Sequence, residues 1–185
     1  MKPVPDDMLI TGKPLSLDEL VRLGRPETRL KLSRAARLAI SRSRRQLQAL
    51  LRSGRTIYGV NTGFGRLCQT KIPPRQWETL QLNLVRSHAA GVGAPLPESI
   101  SRTILGIKIQ TFCQGYSGVR PELVELLVDL YNRGVCPIIP SRGSVGASGD
   151  LAPLAHLALV LIGEGEARLQ GKHYRGKAIL RKIGR

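Results

Sequence analysis

The sequence predicts a mainly α-helical chain in which a loop of small residues, 141–150, leads into a helix that is apolar on every side. Three observations carry that prediction. Apolar residues recur at helical spacing in several separate segments, prolines and glycines mark the boundaries between them, and the extended stretches are few and short. With 185 residues and 42% hydrophobic content, the chain can bury a core and reads as one domain.

Ser16-Leu17-Asp18-Glu19 has the spacing of a capping box, in which hydroxyl and carboxylate satisfy free backbone N–H groups, so a short helix is expected from there to Gly24. Ser33 is placed to cap a longer helix reaching about Arg52, with Ala36, Ile40, Leu47 and Leu51 on one side and Arg34, Arg42, Arg45 and Arg52 on the other. Thr56 to Val60 reads as a brief extended segment. Asn61-Thr62-Gly63-Phe64-Gly65 is then a loop whose glycines let backbone come close to something. A further helix is expected from Pro73 or Pro74 to His88. His88 lies eleven residues after Trp77, nearly three whole turns, so it shares the face of Trp77, Leu80 and Leu84.

Pro97 and Glu98 open the next helix, through Ile100, Ile104, Ile107 and Phe112 to a stop near Gly115. Pro121 opens another, through Leu123, Leu127, Leu130 and Tyr131 to Gly134. Pro137 and Pro140 forbid helix between them. After the small-residue loop, Leu151 to Ile162 is apolar except at His156, which reads as a core histidine, and Asp150 is placed to cap that helix.

Charge and cysteine usage narrow the function. The 29 Lys and Arg against 13 Asp and Glu give +16, which favours acidic partners. Eleven of those basic residues lie between Arg22 and Arg55, with Glu27 the single acid. The solvated face of an amphipathic helix accounts for that run, and aromatics at 4% lack the interleaving of a single-strand binder, so a basic module for nucleic acid is the weaker reading. Cys68, Cys113 and Cys136 show neither a zinc spacing nor a disulfide framework, so no metal is expected and a reducing cytoplasm fits. The first residues have no basic-then-apolar leader and no segment has the length for a bilayer, so no membrane association is expected.

A Gly- and Ser-rich turn before a helix also raises phosphate binding. Yet no Gly-Lys-Ser or Gly-Lys-Thr follows, and no βαβ unit surrounds the turn. Gly143-Ser144-Val145-Gly146-Ala147-Ser148-Gly149-Asp150-Leu151-Ala152-Pro153-Leu154-Ala155 instead resembles the signature of the histidine and phenylalanine ammonia-lyase family. Tyr58-Gly59-Val60-Asn61-Thr62-Gly63-Phe64-Gly65 resembles its tyrosine loop, and Arg86-Ser87-His88-Ala89-Ala90-Gly91-Val92-Gly93 its serine–histidine segment, in the family's order.

The resemblance implies the N-terminal portion of an all-helical ammonia-lyase fold, with the small-residue loop leading into a buried helix. Residues 1–185 would be the N-terminal part of the lyase domain, truncated at the C-terminal side and inactive in isolation. It further implies that Ala147, Ser148 and Gly149 cyclise into 4-methylidene-imidazole-5-one (MIO) without an external cofactor. The Gly149 nitrogen must then reach the Ala147 carbonyl and Ser148 must lose water, which requires small neighbours. Tyr58 would remove the substrate's β-proton. A phenol is ordinarily protonated at neutral pH, so that role needs a site that favours its anion.

His88 matches the position that contacts the substrate ring. Histidine there implies L-histidine as substrate and urocanate as product, with a tyrosine ammonia-lyase or an aminomutase as alternatives. Active sites formed between the subunits of a cytoplasmic homotetramer are also implied. A non-catalytic remnant of the family is the rival from outside catalysis.

Overall fold

The computed structural model describes residues 5–146 and 149–185. Its elements run in the order β1 (Asp6–Ile10), α1 (Leu17–Leu23), β2 (Thr28–Leu32), α2 (Arg34–Arg52), α3 (Trp77–His88), β3 (Val92–Pro95), α4 (Glu98–Cys113), α5 (Pro121–Asn132), β4 (Cys136–Pro137), β5 (Pro140–Arg142), β6 (Val145–Gly146), β7 (Gly149–Asp150), α6 (Ala152–Leu161), β8 (Glu166–Leu169), β9 (Lys172–Arg175) and α7 (Gly176–Lys182). Short 3-10 turns at Gly65–Leu67 and Pro74–Gln76 separate α2 from α3. The mainly α prediction holds. None of the described helices is long and apolar enough to cross a membrane.

Helix starts follow the capping chemistry. The Ser16 hydroxyl accepts from the Glu19 N–H while the Glu19 carboxylate accepts from the Ser16 N–H, and Ser33 Oγ accepts from Ala36 N at 3.1 Å. Helix α2 buries Ala36, Ile40 and Ser43 and turns Arg34, Arg42, Arg45 and Arg52 to solvent, as its pattern predicts.

The core forms where α1, α4 and α5 close over a parallel β1–β2 pair. Met8 and Ile10 from β1, Leu30 and Leu32 from β2, Leu23, Leu105, Ile109, Leu127 and Leu130 meet there. Helix α4 presents a different stripe from the expected one. Ile100 and Ile107 are 46% and 41% exposed, whereas Leu105, Gly106 and Ile109 are buried, because the Leu23 side chain occupies the space a Cβ on Gly106 would need. Asn132 extends the β1–β2 pair from the end of α5. Its Oδ1 accepts from Leu30 N at 2.7 Å and its Nδ2 donates to Leu30 O at 2.9 Å, in place of a third strand. Asn132→Ala should therefore cost about 2 kcal/mol in urea denaturation, and an unchanged midpoint would show that water replaces both bonds.

A second layer, the antiparallel sheet β4–β8–β9, lies against α6 and α7. Gln170 and Gly171 both take positive φ (52° and 73°), which suits the two-residue turn between β8 and β9. Cys113 and Cys136 are buried free thiols, and burial pushes both up, Cys113 to about 11. Native alkylation at neutral pH should accordingly stop after one equivalent, at the half-buried Cys68, as peptide mapping would read. Modification of Cys113 at a comparable rate would mean that α4 opens.

Candidate active site

The tyrosine loop is not extended. Tyr58, Gly59 and Val60 form a turn, because the buried Asn61 closes the loop from inside: its Oδ1 accepts from Ile57 N at 2.7 Å and its Nδ2 donates to Arg55 O at 2.8 Å. Buried Thr62 adds a second brace, Oγ1 accepting from Gly59 N at 3.2 Å and donating to Gly63 O at 2.8 Å. These braces leave Tyr58 facing outward, 63% exposed. Its ring meets Phe64 edge-on at 5.8 Å, and its hydroxyl accepts from Gly65 N at 3.4 Å.

Helix α3 carries the loop on one side, through Gln81 Nε2 donating to Gly59 O at 3.3 Å, and His88 at its end. Trp77, Leu80, Leu84 and His88 do share a half-buried face. His88 Nδ1 lies 2.8 Å from Leu84 O, and since a carbonyl can only accept, Nδ1 carries the proton and Nε2 is left as an acceptor. Ser87 Oγ stands 3.1 Å from the same nitrogen.

The chain after His88 is fastened to the small-residue loop and to the helix behind it. Strand β3 pairs with β5, Val92 opposite Arg142, immediately before Gly143. Gly91 N donates to His156 Nε2 at 3.1 Å. Arg86 forms a two-pronged ion pair with Glu164, Nε to Oε2 at 3.0 Å, just past the end of α6. This pair raises the Arg86 pKa and lowers that of Glu164.

Strands β6 and β7 bring Gly146 opposite Gly149 and Val145 opposite Asp150. Ala147 and Ser148, the first two residues of the expected cyclising tripeptide, lie outside the described residues. Gly149, the third, is exposed with φ +84°. Asp150 is held on two sides. Its Oδ1 accepts from Ala152 N at 3.1 Å, from one residue before the cap position, which Leu151 occupies in place of the Asp150 expected there, and a Cβ on Gly143 would sit 2.2 Å from that same oxygen. Only glycine at 143 lets the carboxylate lie there.

Helix α6 buries Ala152, Ala155, Leu157 and Val160, while Leu154 within it and Ile162 just after it remain 39% and 37% exposed. Its all-round apolar surface is thus covered on one side only in this chain.

Among the described residues no hydrogen bond joins Tyr58, His88 and Gly149 to one another. What joins their segments is α3, tied to the tyrosine loop by Gln81 and to α6 by Arg86 and Gly91. The braces Asn61 and Thr62, and the partners Glu164 and His156, escaped sequence reasoning. Asn61 and Thr62 act within their own loop, through turn bonds that composition does not reveal, whereas the partners of Glu164 and His156 lie in a distant segment.

The sequence model of the aromatic amino acid lyase family matches residues 15–185. The chain belongs to that family. Among its relatives, this aromatic amino acid lyase chain is 49% identical over 175 residues to the histidine ammonia-lyase of Koribacter versatilis, covering 95% of the chain and 34% of the relative. The crystal structure of histidine ammonia-lyase from Trypanosoma cruzi superposes with a TM-score of 0.87 at 38% identity, covering 97% of this chain and 34% of that one. The ergothionase of Treponema denticola, solved with desmethyl-ergothioneine sulfonic acid, superposes with a TM-score of 0.91 at 31% identity, covering 97% and 36%. The chain spans about a third of the length of the relatives it matches.

Proposed function

We propose that these residues supply the electrophile, the base and a substrate-ring contact of an ammonia-lyase that converts L-histidine to urocanate. The observation that carries the reading is the family match over residues 15–185 together with histidine ammonia-lyases at 46–52% identity. The loop chemistry supports it. Small residues flank the tripeptide, Gly146 and Gly149 are paired, and Asp150 is anchored against Gly143, so the chain on both sides of Ala147-Ser148-Gly149 fits the compression that ring closure needs. The MIO group formed there would supply an electrophile for the substrate's amine.

Tyr58 takes the β-proton in this reading. Its braced, outward-facing hydroxyl accepts one weak hydrogen bond from its own loop and is open to substrate. His88 Nε2, left as an acceptor by the Nδ1 bond to Leu84 O, matches the N–H of an imidazole ring. A phenol O–H would match it too, which keeps tyrosine as the second substrate and an aminomutase as the second reaction. The large exposure of Tyr58, and the absence of any fully buried residue in α3, support completion of the site by further segments in a homotetramer. The 185 residues alone should release no urocanate, and measurable release by the pure chain would overturn that part.

Intact mass tests the electrophile. The expected result is a deficit of two waters confined to the peptide holding Ala147, Ser148 and Gly149, and abolished by Ser148→Ala. A full unmodified mass in the wild type would show that this chain does not mature the group.

A further inference from the structure

His156 has no part in the reading above, yet among the described residues it makes the one hydrogen bond that ties α6 to the segment after His88. We propose that His156 is a positioning residue, a neutral imidazole whose Nε2 holds the Gly91 N–H and so locks the His88 segment to the helix that follows the tripeptide. The proposal rests on the lyase reading for its consequence at the site, but not for the contact itself.

Three observations carry it. The donor is a backbone N–H 65 positions away, 3.1 Å from Nε2, so that nitrogen must present its lone pair and Nδ1 must hold the proton. The approach is also closed sterically. A Cβ on Gly91 would lie 3.0 Å from His156 Nε2 and 3.2 Å from Pro140 Cβ, so any larger residue at 91 would push the imidazole and the start of β5 outward by a few tenths of an ångström. Finally, the Arg86–Glu164 pair fixes the other end of the same contact. The run from 86 to 91 is held at 164 and 156, so it lies along α6 in the opposite direction. His156 lies inside α6 and Glu164 just past its end, so the two ties stand more than one helical turn apart along the chain and together oppose both rotation and sliding.

The tie has a definite response to acid. Burial alone lowers the His156 pKa. The ionisable groups on the elements packed against α6 are Glu78, Arg86 and His88 on α3, Cys136 on β4, Glu166 and Arg168 on β8, and Lys177, Arg181 and Lys182 on α7. Arg86 is neutralised by Glu164, Glu166 faces His173 and Arg168 faces Glu98. A folded-state value below the ordinary one means that the tie is fully present above the usual histidine range, near about 6.5, and is lost as pH falls through the lowered value. A protonated Nε2 cannot accept.

Amide exchange in this chain tests the lock, whether or not the tripeptide has cyclised. In His156→Leu the protection of Gly91 should fall about tenfold, the equivalent of one hydrogen bond, while α4 and α5 keep theirs. His156→Gln, whose Oε1 can accept the same N–H, should restore it and remove its pH dependence. Should the leucine variant not fold, the wild-type pH series decides: Gly91 protection must drop below the ordinary histidine range before that of α4 and α5. Unchanged exchange at Gly91, an equal loss throughout the chain, or no recovery with glutamine would each overturn the proposal. Failure of the lyase reading would appear instead in the intact mass, with the exchange pattern intact.

Discussion

Replacing Arg102 with leucine should destabilise the chain by about 3–5 kcal/mol, the largest loss expected from any single side chain here. Arg102 is 4% exposed, and among the described residues no carboxylate pairs with it. Its charge is instead met by backbone: Nε donates to Arg25 O, one terminal nitrogen to Tyr131 O and the other to Thr28 O, each at 3.2 Å. Arg25 follows α1 and Tyr131 lies in the last turn of α5, where carbonyl oxygens with a second lone pair to offer and the helix dipole both favour a cation. The guanidinium also lies 4.2 Å from the centroid of the Tyr131 ring, whose hydroxyl donates to Leu23 O at 2.6 Å.

Removing the guanidinium would take a charged donor from three carbonyls at the junction of α1, β2, α4 and α5, leaving Thr28 N for Arg25 O, Gly134 N for Tyr131 O and the Arg29 side chain for Thr28 O. Lysine would keep the charge but could not span three separate acceptors in a plane, so Arg102→Lys should recover only part of the loss. With a urea slope of about 2 kcal/mol per molar, the leucine variant's midpoint should fall by about 1.5–2.5 M. A fall of less than about 0.5 M would mean that the carbonyls find water and that the buried charge is not what joins these elements.

Arg102 also marks where the sequence stops being readable. Helices were legible because their signals are local: Ser16 with Glu19, Ser33 before the Ala36 and Ile40 stripe, Pro121 before Leu127 and Leu130. The β1–β2 pair was hidden. Thr28-Arg29-Leu30-Lys31-Leu32 alternates buried with exposed residues at a strand's period, but its basic residues read as part of a charge run, and its partner lies beyond a helix. The β8–β9 hairpin was missed because Gln170 at positive φ is not a usual turn residue. In the site, motif residues were legible and their braces were not. Asn61 could have been suspected from its place in a tight glycine loop, but nothing near Glu164 in the sequence points to Arg86, nor anything near His156 to Gly91.

Tyr58→Phe should leave stability within about 0.5 kcal/mol of the wild type and yet reduce lyase turnover by about 100- to 10,000-fold. The first half follows from geometry. The hydroxyl accepts one bond at 3.4 Å on an exposed side chain, and the edge-on contact with Phe64 uses only the ring, which phenylalanine retains. The second half follows from the proposed base role, since phenylalanine has no oxygen to take the β-proton. A chimera in which this chain replaces the matching third of a histidine ammonia-lyase would provide the assay, with kcat expected to fall far more than KM rises. Asn61→Ala gives the contrast: it keeps the hydroxyl but removes the two bonds that close the loop, so it should lower both stability and turnover. A phenylalanine variant within threefold of wild-type kcat would remove Tyr58 from the proton transfer. That outcome would leave the braced loop as a wall of the site and move the search for the base to another segment of the assembled enzyme.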